Sequence, residues 1–303
     1  MCLVSMCELL GVNSNKYTNV TFSFQQLEKN SEDNPHGWGL AFYPYHLPKR
    51  NKKNSNIVVQ NDFRAAVFRE DHRLKDSIFV HKLRGYFHDN LKSKNILAHI
   101  RKSTSTQTYA NTHPFSRELW GHDWILIHNG AHGVDHYFKT NYYSKKDLHY
   151  YPIGLTGSDK ILCILLSELK NQIQPEINVG EDSRMQVAYD FLDCAEVIYD
   201  LLCDMKENDA DVNIILSDGI YMLGFFSGYN KLHYIVRNKG DDFVNVDFKD
   251  LDYNNIGLTK EPDEQAIIIA TEEITNEDWK KFDYNNGIRM IICKDGKISR
   301  KYP

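Results

Sequence analysis

Two cysteines near the start of the chain, Cys2 and Cys7, are candidate nucleophiles. A thiol that shares its residue with a free α-amine has a base beside it, which compensates for the weak nucleophilicity of a neutral thiol. Cys7 follows Met6 directly and precedes a short apolar stretch that contains Leu9 and Leu10. The sequence therefore suggests an N-terminal cysteine nucleophile, at one of two positions.

Two further positions carry groups that could bind the substrate of such a nucleophile. Arg101 follows an apolar segment and precedes a Ser/Thr-rich loop. Its guanidinium could hold a carboxylate through two hydrogen bonds, or form an ordinary ion pair. Asn129 and Gly130 end another apolar segment, and an amide side chain with an accessible glycine N–H supplies oxyanion-hole donors. Asn-Gly is also a common turn, so this dipeptide alone does not decide between the two roles.

Other polar residues have simpler explanations when they are taken singly. The segment 154–160 opens a helical pattern and could hold a polar group of a ligand or merely cap the helix. His113 and His128 adjoin predicted strands, and no histidine pair has the spacing of metal ligands. Each of the two is therefore predicted to be structural, and no metal is expected.

The elements that must position these groups follow from hydrophobic periodicity. Strands are predicted at 6–13, 40–43, 57–59, 95–101, 124–128, 212–216, 220–226, 232–236, 266–270 and 288–293. Helices are predicted at 22–28, at 76–85, after Ser158, at 185–205 and from Asn276, with a loop at 176–184. Two adjacent long helices between groups of strands predict an α+β fold, with two sheets stacked face to face and helices outside.

Composition narrows the classes of function. The chain has 303 residues, of which 42% are hydrophobic and 25% charged, as in soluble globular proteins. A net charge of -5 gives no reason to expect nucleic acid or an anionic membrane as a partner. The basic run 49–54 is predicted to be a solvated hairpin tip. Without a C-x-x-C pair, a basic signal region or an apolar run of ~20 residues, the protein is predicted to be reduced and cytoplasmic.

No repeat, linker or change of composition divides the chain, so a single domain over residues 1–303 is predicted. Within it, residues 1–6 are interpreted as a leader or as a start assigned too early, because they separate Cys7 from a free amine.

Seven short motifs occur in a fixed order along the chain. They are Met-Cys-Glu-Leu-Leu-Gly (6–11), His-Gly-Trp-Gly (36–39), Ala-His-Ile-Arg (98–101), Asn-Thr-His-Pro-Phe (111–115), Arg-Glu-Leu-Trp-Gly (117–121), His-Asn-Gly (128–130) and Leu-Ser-Asp-Gly (216–219). The ordered set resembles class II glutamine amidotransferases of the small, stand-alone bacterial type. The resemblance implies an N-terminal-nucleophile fold, a four-layer αββα sandwich, and hydrolysis of the glutamine side-chain amide to glutamate and ammonia without a cofactor.

The same resemblance implies residue roles. It favours Cys7 over Cys2, because Glu-Leu-Leu-Gly follows Cys7, and it makes the α-amine of Cys7 the general base. Arg101 would bind the substrate α-carboxylate, and Asn129 with Gly130 would stabilise the oxyanion. The implied site residues are Cys7, Asn129 and Gly130 for catalysis and Arg101, Thr104, His113 and Asp159 for substrate binding.

Two positions depart from the family pattern. His36 stands where related sequences usually have aspartate before Gly-Trp-Gly. The family's Thr-Asp-Ser-Glu aligns with residues 156–159, so Gly157 replaces the aspartate that would hold the substrate α-ammonium group. Losing such a charge-assisted contact costs about 1.5–3 kcal/mol. Asp159, two residues later, is predicted to substitute for it if the loop shifts.

Three hypotheses therefore stay open. The protein is a glutamine amidotransferase or γ-glutamyl amide hydrolase, whose ammonia goes to a partner protein if it has an acceptor. Alternatively, it hydrolyses another γ-glutamyl compound, or it is an inactive relative that acts as a binding or regulatory subunit.

Overall fold

The structure is a computed structural model that describes residues 7–18, 28–44, 63–82, 92–103, 107–143, 148–179, 185–241 and 263–303. The strands are β1 Glu8–Thr18, β2 Trp38–Phe42, β3 Ala66–Glu70, β4 Ser93–Ile100, β5 Phe115–Leu119, β6 His122–Asn129, β7 Glu176–Val179, β8 Met185–Ala188, β9 Asn213–Ser217, β10 Tyr221–Phe225, β11 His233–Arg237, β12 Ala266–Ala270, β13 Lys280–Lys281, β14 Met290–Lys294 and β15 Lys297–Tyr302. The two long helices are α1 Gly157–Gln172 and α2 Phe191–Glu207. Shorter helical pieces are Leu74–Asp76, 78–82, Tyr109–Asn111, Val134–Tyr137 and the π-helical Phe138–Tyr143.

Two antiparallel sheets form the centre of the molecule. The seven-stranded sheet has the order β13-β11-β12-β1-β4-β2-β3, and the six-stranded sheet has the order β15-β14-β10-β9-β6-β5. In the first sheet Glu8 of β1 lies opposite Ile100 of β4, so Cys7 and Arg101 extend from the same sheet edge. In the second sheet Asn129 at the end of β6 lies opposite Asn213 at the start of β9.

Three buried apolar clusters separate the layers. Along β1, Leu9 faces the cluster between the sheets, whereas Leu10 and Val12 face the cluster on the outer side of the seven-stranded sheet. This alternation follows from the two-residue period of a strand. The third cluster packs α1 and α2 onto the outer face of the six-stranded sheet. The predicted α+β class, with two stacked sheets flanked by helices, is confirmed.

Three predictions of local structure are wrong, and two of them concern residues 176–188. Residues 185–188 are not helical but form β8, which pairs with β7 in the segment 176–179 that was predicted as a loop. Helix α2 begins only after Asp190, because the Asp190 side chain caps it by accepting from the Leu192 N–H at 2.8 Å.

The helix predicted from Asn276 is also absent, and its place is taken by an irregular turn. Thr275 Oγ1 donates to the carboxylate of Glu277 and accepts from the indole N–H of Trp279 at 3.0 Å. Arg237 forms an ion pair with the same carboxylate. These side-chain contacts override the local helical pattern.

Several predictions fall partly or wholly outside the described residues. The strand at 57–59 and the basic run at 49–54 lie outside them, and β2 pairs with β3, residues 66–70, instead. The helix predicted at 22–28 lies outside them except for residue 28. Of the helix predicted at 76–85, the structure describes helical residues 78–82, preceded by a 3-10 turn.

Candidate active site

Cys7 lies at the start of β1 and is held by the backbone that follows Arg101. The Lys102 N–H donates to Cys7 Sγ at 3.1 Å, and the Lys102 carbonyl oxygen lies 3.1 Å from the same sulfur. Burial raises the pKa of the Cys7 thiol, against the opposing effects of the Lys102 N–H and the Arg101 guanidinium. A neutral thiol is a poor nucleophile, so Cys7 needs a base in order to react.

Arg101 is only 3% exposed, and its guanidinium is oriented by the loop that follows it. Nη2 donates to Ser103 Oγ at 2.7 Å. The backbone of Arg101 is paired with the 36–37 segment, because its N–H donates to the Gly37 carbonyl at 2.8 Å and its carbonyl accepts from the His36 N–H at 3.0 Å. His36 Nδ1 also accepts from the Ser103 N–H at 3.0 Å. His36, whose departure from the family pattern had no explanation in the sequence, thus anchors the loop after Arg101.

Asn129 joins the two sheets at the site. It is the last residue of β6, and its Nδ2 donates to the carbonyl oxygen of Cys7 at 2.7 Å. Gly130 passes so close to the start of β9 that a Cβ at this position would lie 2.1 Å from the Asp211 carbonyl oxygen. Only glycine fits there, which fixes the path of the chain directly after Asn129.

Two buried histidines form the layer behind Asn129. His128 Nε2 donates to the Asp211 carbonyl at 2.9 Å, so its Nδ1 is unprotonated and accepts from Ser158 Oγ at 2.9 Å. His99 Nε2 lies 3.2 Å from the His128 carbonyl and donates to it. Burial lowers the pKa of His128 to about 4 and that of His99 to about 3. Both rings are therefore neutral at physiological pH.

His113 packs onto this layer through its ring. It stacks on His99 with 3.9 Å between ring centroids and meets the ring of Phe115 edge-on. It is 4% exposed, and neither ring nitrogen has a hydrogen-bond partner among the described residues. Burial lowers its pKa well below the ordinary histidine value. The predicted contact of His113 with substrate stays a prediction, as does that of Thr104, which lies outside the described residues.

Asp159, predicted to replace the missing aspartate, is already engaged inside the protein. It is 1% exposed, and its Oδ1 forms an ion pair with Arg117 Nη2 at 2.7 Å. Its Oδ2 accepts from the N–H groups of Ile153 at 2.6 Å and Gly154 at 2.9 Å. These contacts favour a structural role, in which Asp159 holds the 153–154 loop against α1. Its predicted role in binding the substrate stays a prediction.

Gly157, the first residue of α1, has no room for a side chain. A Cβ at this position would lie 2.9 Å from Val134 Cβ and 3.1 Å from Val134 Cγ1. Contacts this short force one of the two groups to move. The structure thus places a buried apolar side chain against the position where the family carries a carboxylate.

Sequence analysis missed three residues near this site. His99 lies in the Ala-His-Ile-Arg motif, two positions before Arg101, and that position was a usable signal. Asp211 and Tyr229 lie in loops without any motif. Asp211 is half-buried beneath Gly130, and the half-buried Tyr229 has its pKa raised by burial, by Asp211 and by Cys7.

The described part of the chain contains neither a metal-binding cluster nor a membrane-spanning helix. No group of three or more His, Cys, Asp or Glu side chains there is arranged to hold a metal ion. No helix in that part is long and apolar enough to cross a membrane.

The arrangement of the chain is found in solved amidotransferases. The allosteric regulatory enzyme of purine biosynthesis matches with a TM-score of 0.58 and 14% identity, over 96% of this chain and 48% of that one. The Bacillus subtilis glutamine phosphoribosylpyrophosphate amidotransferase matches with a TM-score of 0.56 and 11% identity, over 98% and 49%. At such identities the likeness concerns the fold, which is that of the N-terminal-nucleophile amidotransferase domains.

Sequence comparison defines the family. Residues 6–302 match the family described as "Glutamine amidotransferases class-II", and the chain belongs to this family. It is 32% identical over 297 residues to the Methanocaldococcus jannaschii protein MJ1515, covering 97% of this chain and 70% of that protein. It is 29% identical to the Escherichia coli K12 protein named "Putative glutamine amidotransferase YafJ", covering 91% and 94%. A crystal structure of a predicted glutamine amidotransferase from Pseudomonas aeruginosa matches with a TM-score of 0.61 and 22% identity, over 97% and 100%.

Proposed function

We propose that this protein hydrolyses the side-chain amide of glutamine, or of a related γ-glutamyl amide, through a thioester on Cys7. The observation that carries the proposal is that groups from both sheets hydrogen-bond to Cys7. The residue after Arg101 hydrogen-bonds its sulfur, and Asn129 hydrogen-bonds its carbonyl. A cysteine, a guanidinium and amide donors at one sheet edge are the groups that amide hydrolysis by a thiol requires.

Each group has a distinct task in the proposed mechanism. Arg101 binds the substrate α-carboxylate with its guanidinium. The Cys7 sulfur attacks the amide carbon, and the amide oxygen takes up negative charge. The side chain of Asn129 and the N–H of Gly130 stabilise that oxyanion. The C–N bond then breaks, and ammonia leaves with the proton taken from the thiol. Water hydrolyses the thioester and releases glutamate.

The proposed base is the α-amine of Cys7, as the family resemblance implies. Because burial raises the pKa of the Cys7 thiol, the thiol needs proton transfer before it attacks. An amine can accept that proton, whereas the same nitrogen within a peptide bond cannot. The mechanism therefore requires that Cys7 be the first residue of the active protein.

The test combines intact mass with an activity assay. Mass spectrometry of the protein purified from its native source reports whether the chain starts at Cys7. Release of glutamate and ammonia is measured with glutamine and with γ-glutamyl peptides. We expect Cys7→Ala to abolish release, while Cys203→Ala, a half-buried cysteine on α2, leaves it unchanged. Equal release by wild type and Cys7→Ala would rule out a cysteine-dependent enzyme, and a wild type that binds substrate without turnover would indicate a binding subunit.

A second candidate is a hydrolase whose substrate has a blocked or absent α-amine. The contact between Gly157 and Val134 favours it, because an apolar side chain lies where the family binds the ammonium group. A carboxylate introduced by Gly157→Asp alone would collide with Val134. The informative variant is therefore the double mutant Gly157→Asp/Val134→Ala, with Val134→Ala as control.

We expect the double mutant to bind glutamine about tenfold or more tightly than Val134→Ala if a missing ammonium contact limits glutamine binding. N-acetylglutamine, which lacks the ammonium group, should show no such gain. Equal affinities of the double mutant and its control for glutamine would show that position 157 does not contribute to ammonium binding in this protein.

A further inference from the structure

The pairing of β1 with β12 becomes irregular at Leu9, two residues after Cys7. Leu10 of β1 lies opposite Ala270, the last residue of β12, so the same register places Leu9 opposite Thr271. A hydrogen-bonded pair of an antiparallel ladder exchanges two backbone bonds. One of the two is formed here, because the Thr271 N–H donates to the Leu9 carbonyl at 3.2 Å.

A side chain supplies the acceptor for the other bond. The Leu9 N–H donates to Thr271 Oγ1 at 3.1 Å, and the Thr271 carbonyl accepts instead from His233 Nδ1 at 3.1 Å. All three residues are at most 3% exposed, so these bonds are shielded from water. Leaving a buried N–H without an acceptor is costly. The Thr271 hydroxyl thus takes the place that a backbone carbonyl has in a regular ladder.

Side chains from both sheets hold the two peptide groups that follow Cys7. The carbonyl between Cys7 and Glu8 accepts from Asn129 Nδ2 at 2.7 Å, and Asn129 belongs to the six-stranded sheet. The N–H between Glu8 and Leu9 donates to the hydroxyl of Thr271, which follows β12 of the seven-stranded sheet. Thr271 and Asn129 together fix the backbone on the C-terminal side of Cys7.

This backbone matters more when Cys7 is the first residue, as the proposed mechanism requires. No peptide group then precedes Cys7, and the first residues of a chain are poorly ordered unless contacts hold them. The position of its Cα then depends on the peptide groups that follow it, while the Lys102 backbone contacts its sulfur. A displacement of about 1 Å in a reacting group can lower a rate about a hundredfold.

We propose that Thr271 is a positioning residue for Cys7, because its hydroxyl holds the Leu9 N–H and thereby keeps the thiol in its reactive position. This proposal rests on the proposed function of Cys7. Thr271 acts through the backbone and takes no part in the chemistry, and substrate binding by Arg101 does not depend on its hydroxyl. Losing the hydroxyl should therefore lower kcat and leave KM nearly unchanged.

The test uses the protein that starts at Cys7, as verified by its intact mass. Thr271→Val removes the hydroxyl, and Thr271→Ser keeps it. Thr275→Val is the matched control, because Thr275 is also buried and its hydroxyl bonds Glu277 and Trp279 instead. We expect Thr271→Val to lower kcat for glutamate release from glutamine about ten- to a hundredfold, with KM within about twofold of wild type. Thr271→Ser and Thr275→Val should keep kcat within about threefold of wild type.

A second measurement needs no turnover. Labelling of Cys7 by iodoacetamide is followed as a function of pH and located by peptide mass spectrometry. The Lys102 N–H donates to Cys7 Sγ and favours the thiolate, so a displaced Cys7 needs a higher pH to react. We expect the pH of half-maximal labelling to rise by about one unit in Thr271→Val. It should stay at the wild-type value in Thr271→Ser and Thr275→Val.

Circular dichroism and the melting temperature show whether each variant is folded. If Thr271→Val does not fold, Thr271→Ala, which places no methyl group beside the Leu9 N–H, is measured in its place. An unchanged kcat in a folded variant without the hydroxyl, or an equal fall of kcat in Thr271→Ser or Thr275→Val, would overturn the positioning role. Absence of glutamate release by wild type would instead contradict the proposed function, and the labelling of Cys7 would then decide the role of Thr271.

Discussion

The two ends of the β6–β9 strand pair are both polar and buried, yet their polar groups are used differently. At one end, Asn129 reaches across to the other sheet and donates to the Cys7 carbonyl. At the opposite end, Asp218 follows β9 and is enclosed by donors from the β9–β10 turn and from Tyr189. Its Oδ1 accepts from the N–H groups of Ile220 at 2.9 Å and Tyr221 at 2.7 Å, and its Oδ2 accepts from the Tyr189 hydroxyl at 2.7 Å.

The two ends of this strand pair therefore have different roles: the Asp218 end serves stability, and the Asn129 end serves the proposed binding site. The Asp218 end satisfies its polar groups internally, including His122, whose ring donates to the Asp218 carbonyl at 3.0 Å. Such a network stabilises the turn and offers little to a ligand. The Asn129 end instead joins the two sheets around Cys7, the proposed nucleophile, and is supported by the buried side chains of His128 and His99. Functional side chains keep a precise geometry when they lie on rigid strands and when neighbouring buried residues pack and hydrogen-bond against them.

The stability of the fold also depends on pH in opposite directions at the two ends. Burial keeps His128 and His99 neutral, and their lowered pKa values mean that protonation opposes folding. Burial raises the pKa of Asp218, so for this group deprotonation opposes folding. As the pH falls below 6.5, the histidine end loses stability. At the Asp218 end the direction is opposite. The stability contributed by the protonated Asp218 carboxyl is lost as the pH rises from the ordinary aspartate pKa through its raised pKa.

The largest expected effect is on the activity of Asn129→Ala. Removing one oxyanion donor lowers kcat by about 10²–10³. Because the same side chain bonds the Cys7 carbonyl, we expect a smaller fall in stability, of about 1 kcal/mol. Steady-state glutamate release and urea unfolding measure the two quantities. A loss of stability without loss of kcat would reverse the roles assigned to the two ends.

Asp218→Ala should show the opposite pattern. It leaves two backbone N–H groups and the Tyr189 hydroxyl without their acceptor, which we expect to lower the free energy of unfolding by about 3 kcal/mol. Glutamate release per folded molecule should stay within about twofold of wild type, since the turn lies at the far end of β9 from Asn213. A hundredfold fall in kcat with little change in stability would show that the far end also serves catalysis.

The sequence predicted this division only in part. Cys7, Arg101 and Asn129 each lie at the end of an apolar strand, so strand pattern and motif order predicted the fold and brought those residues to the candidate site. The role of Asp159 could not be judged, because it depends on Arg117, 42 positions earlier in the chain. Likewise, the contact of Gly157 with Val134 and the hydrogen bond from Asn129 to the Cys7 carbonyl arise from long-range packing, which local patterns do not encode.

The opposed titrations predict a measurable pH dependence. With an ordinary histidine pKa of 6.5 in the unfolded chain and about 4 in the fold, His128 alone removes about 2 kcal/mol of stability between pH 7 and pH 5. Urea unfolding at these two pH values measures the loss, and His128→Gln should reduce it. The exposed His136→Gln serves as control. An identical pH dependence in wild type and His128→Gln would contradict the assignment of a neutral, buried His128.

The smallest expected effect tests which hydrogen bonds of Asp218 contribute most to the free energy of unfolding. Tyr189→Phe removes one hydroxyl donor and keeps the ring, which packs edge-on against His122. We expect a loss of about 1 kcal/mol in the free energy of unfolding, measured with urea, and unchanged glutamate release. If Asp218→Ala costs about three times as much, most of the network's contribution comes from the backbone donors of Ile220 and Tyr221, which close the β9–β10 turn. If Tyr189→Phe and Asp218→Ala instead lower the free energy of unfolding equally, the stabilisation comes from the single hydrogen bond between Tyr189 and Asp218. Asp218 would then stabilise the fold by holding the segment around Tyr189 rather than by closing the β9–β10 turn.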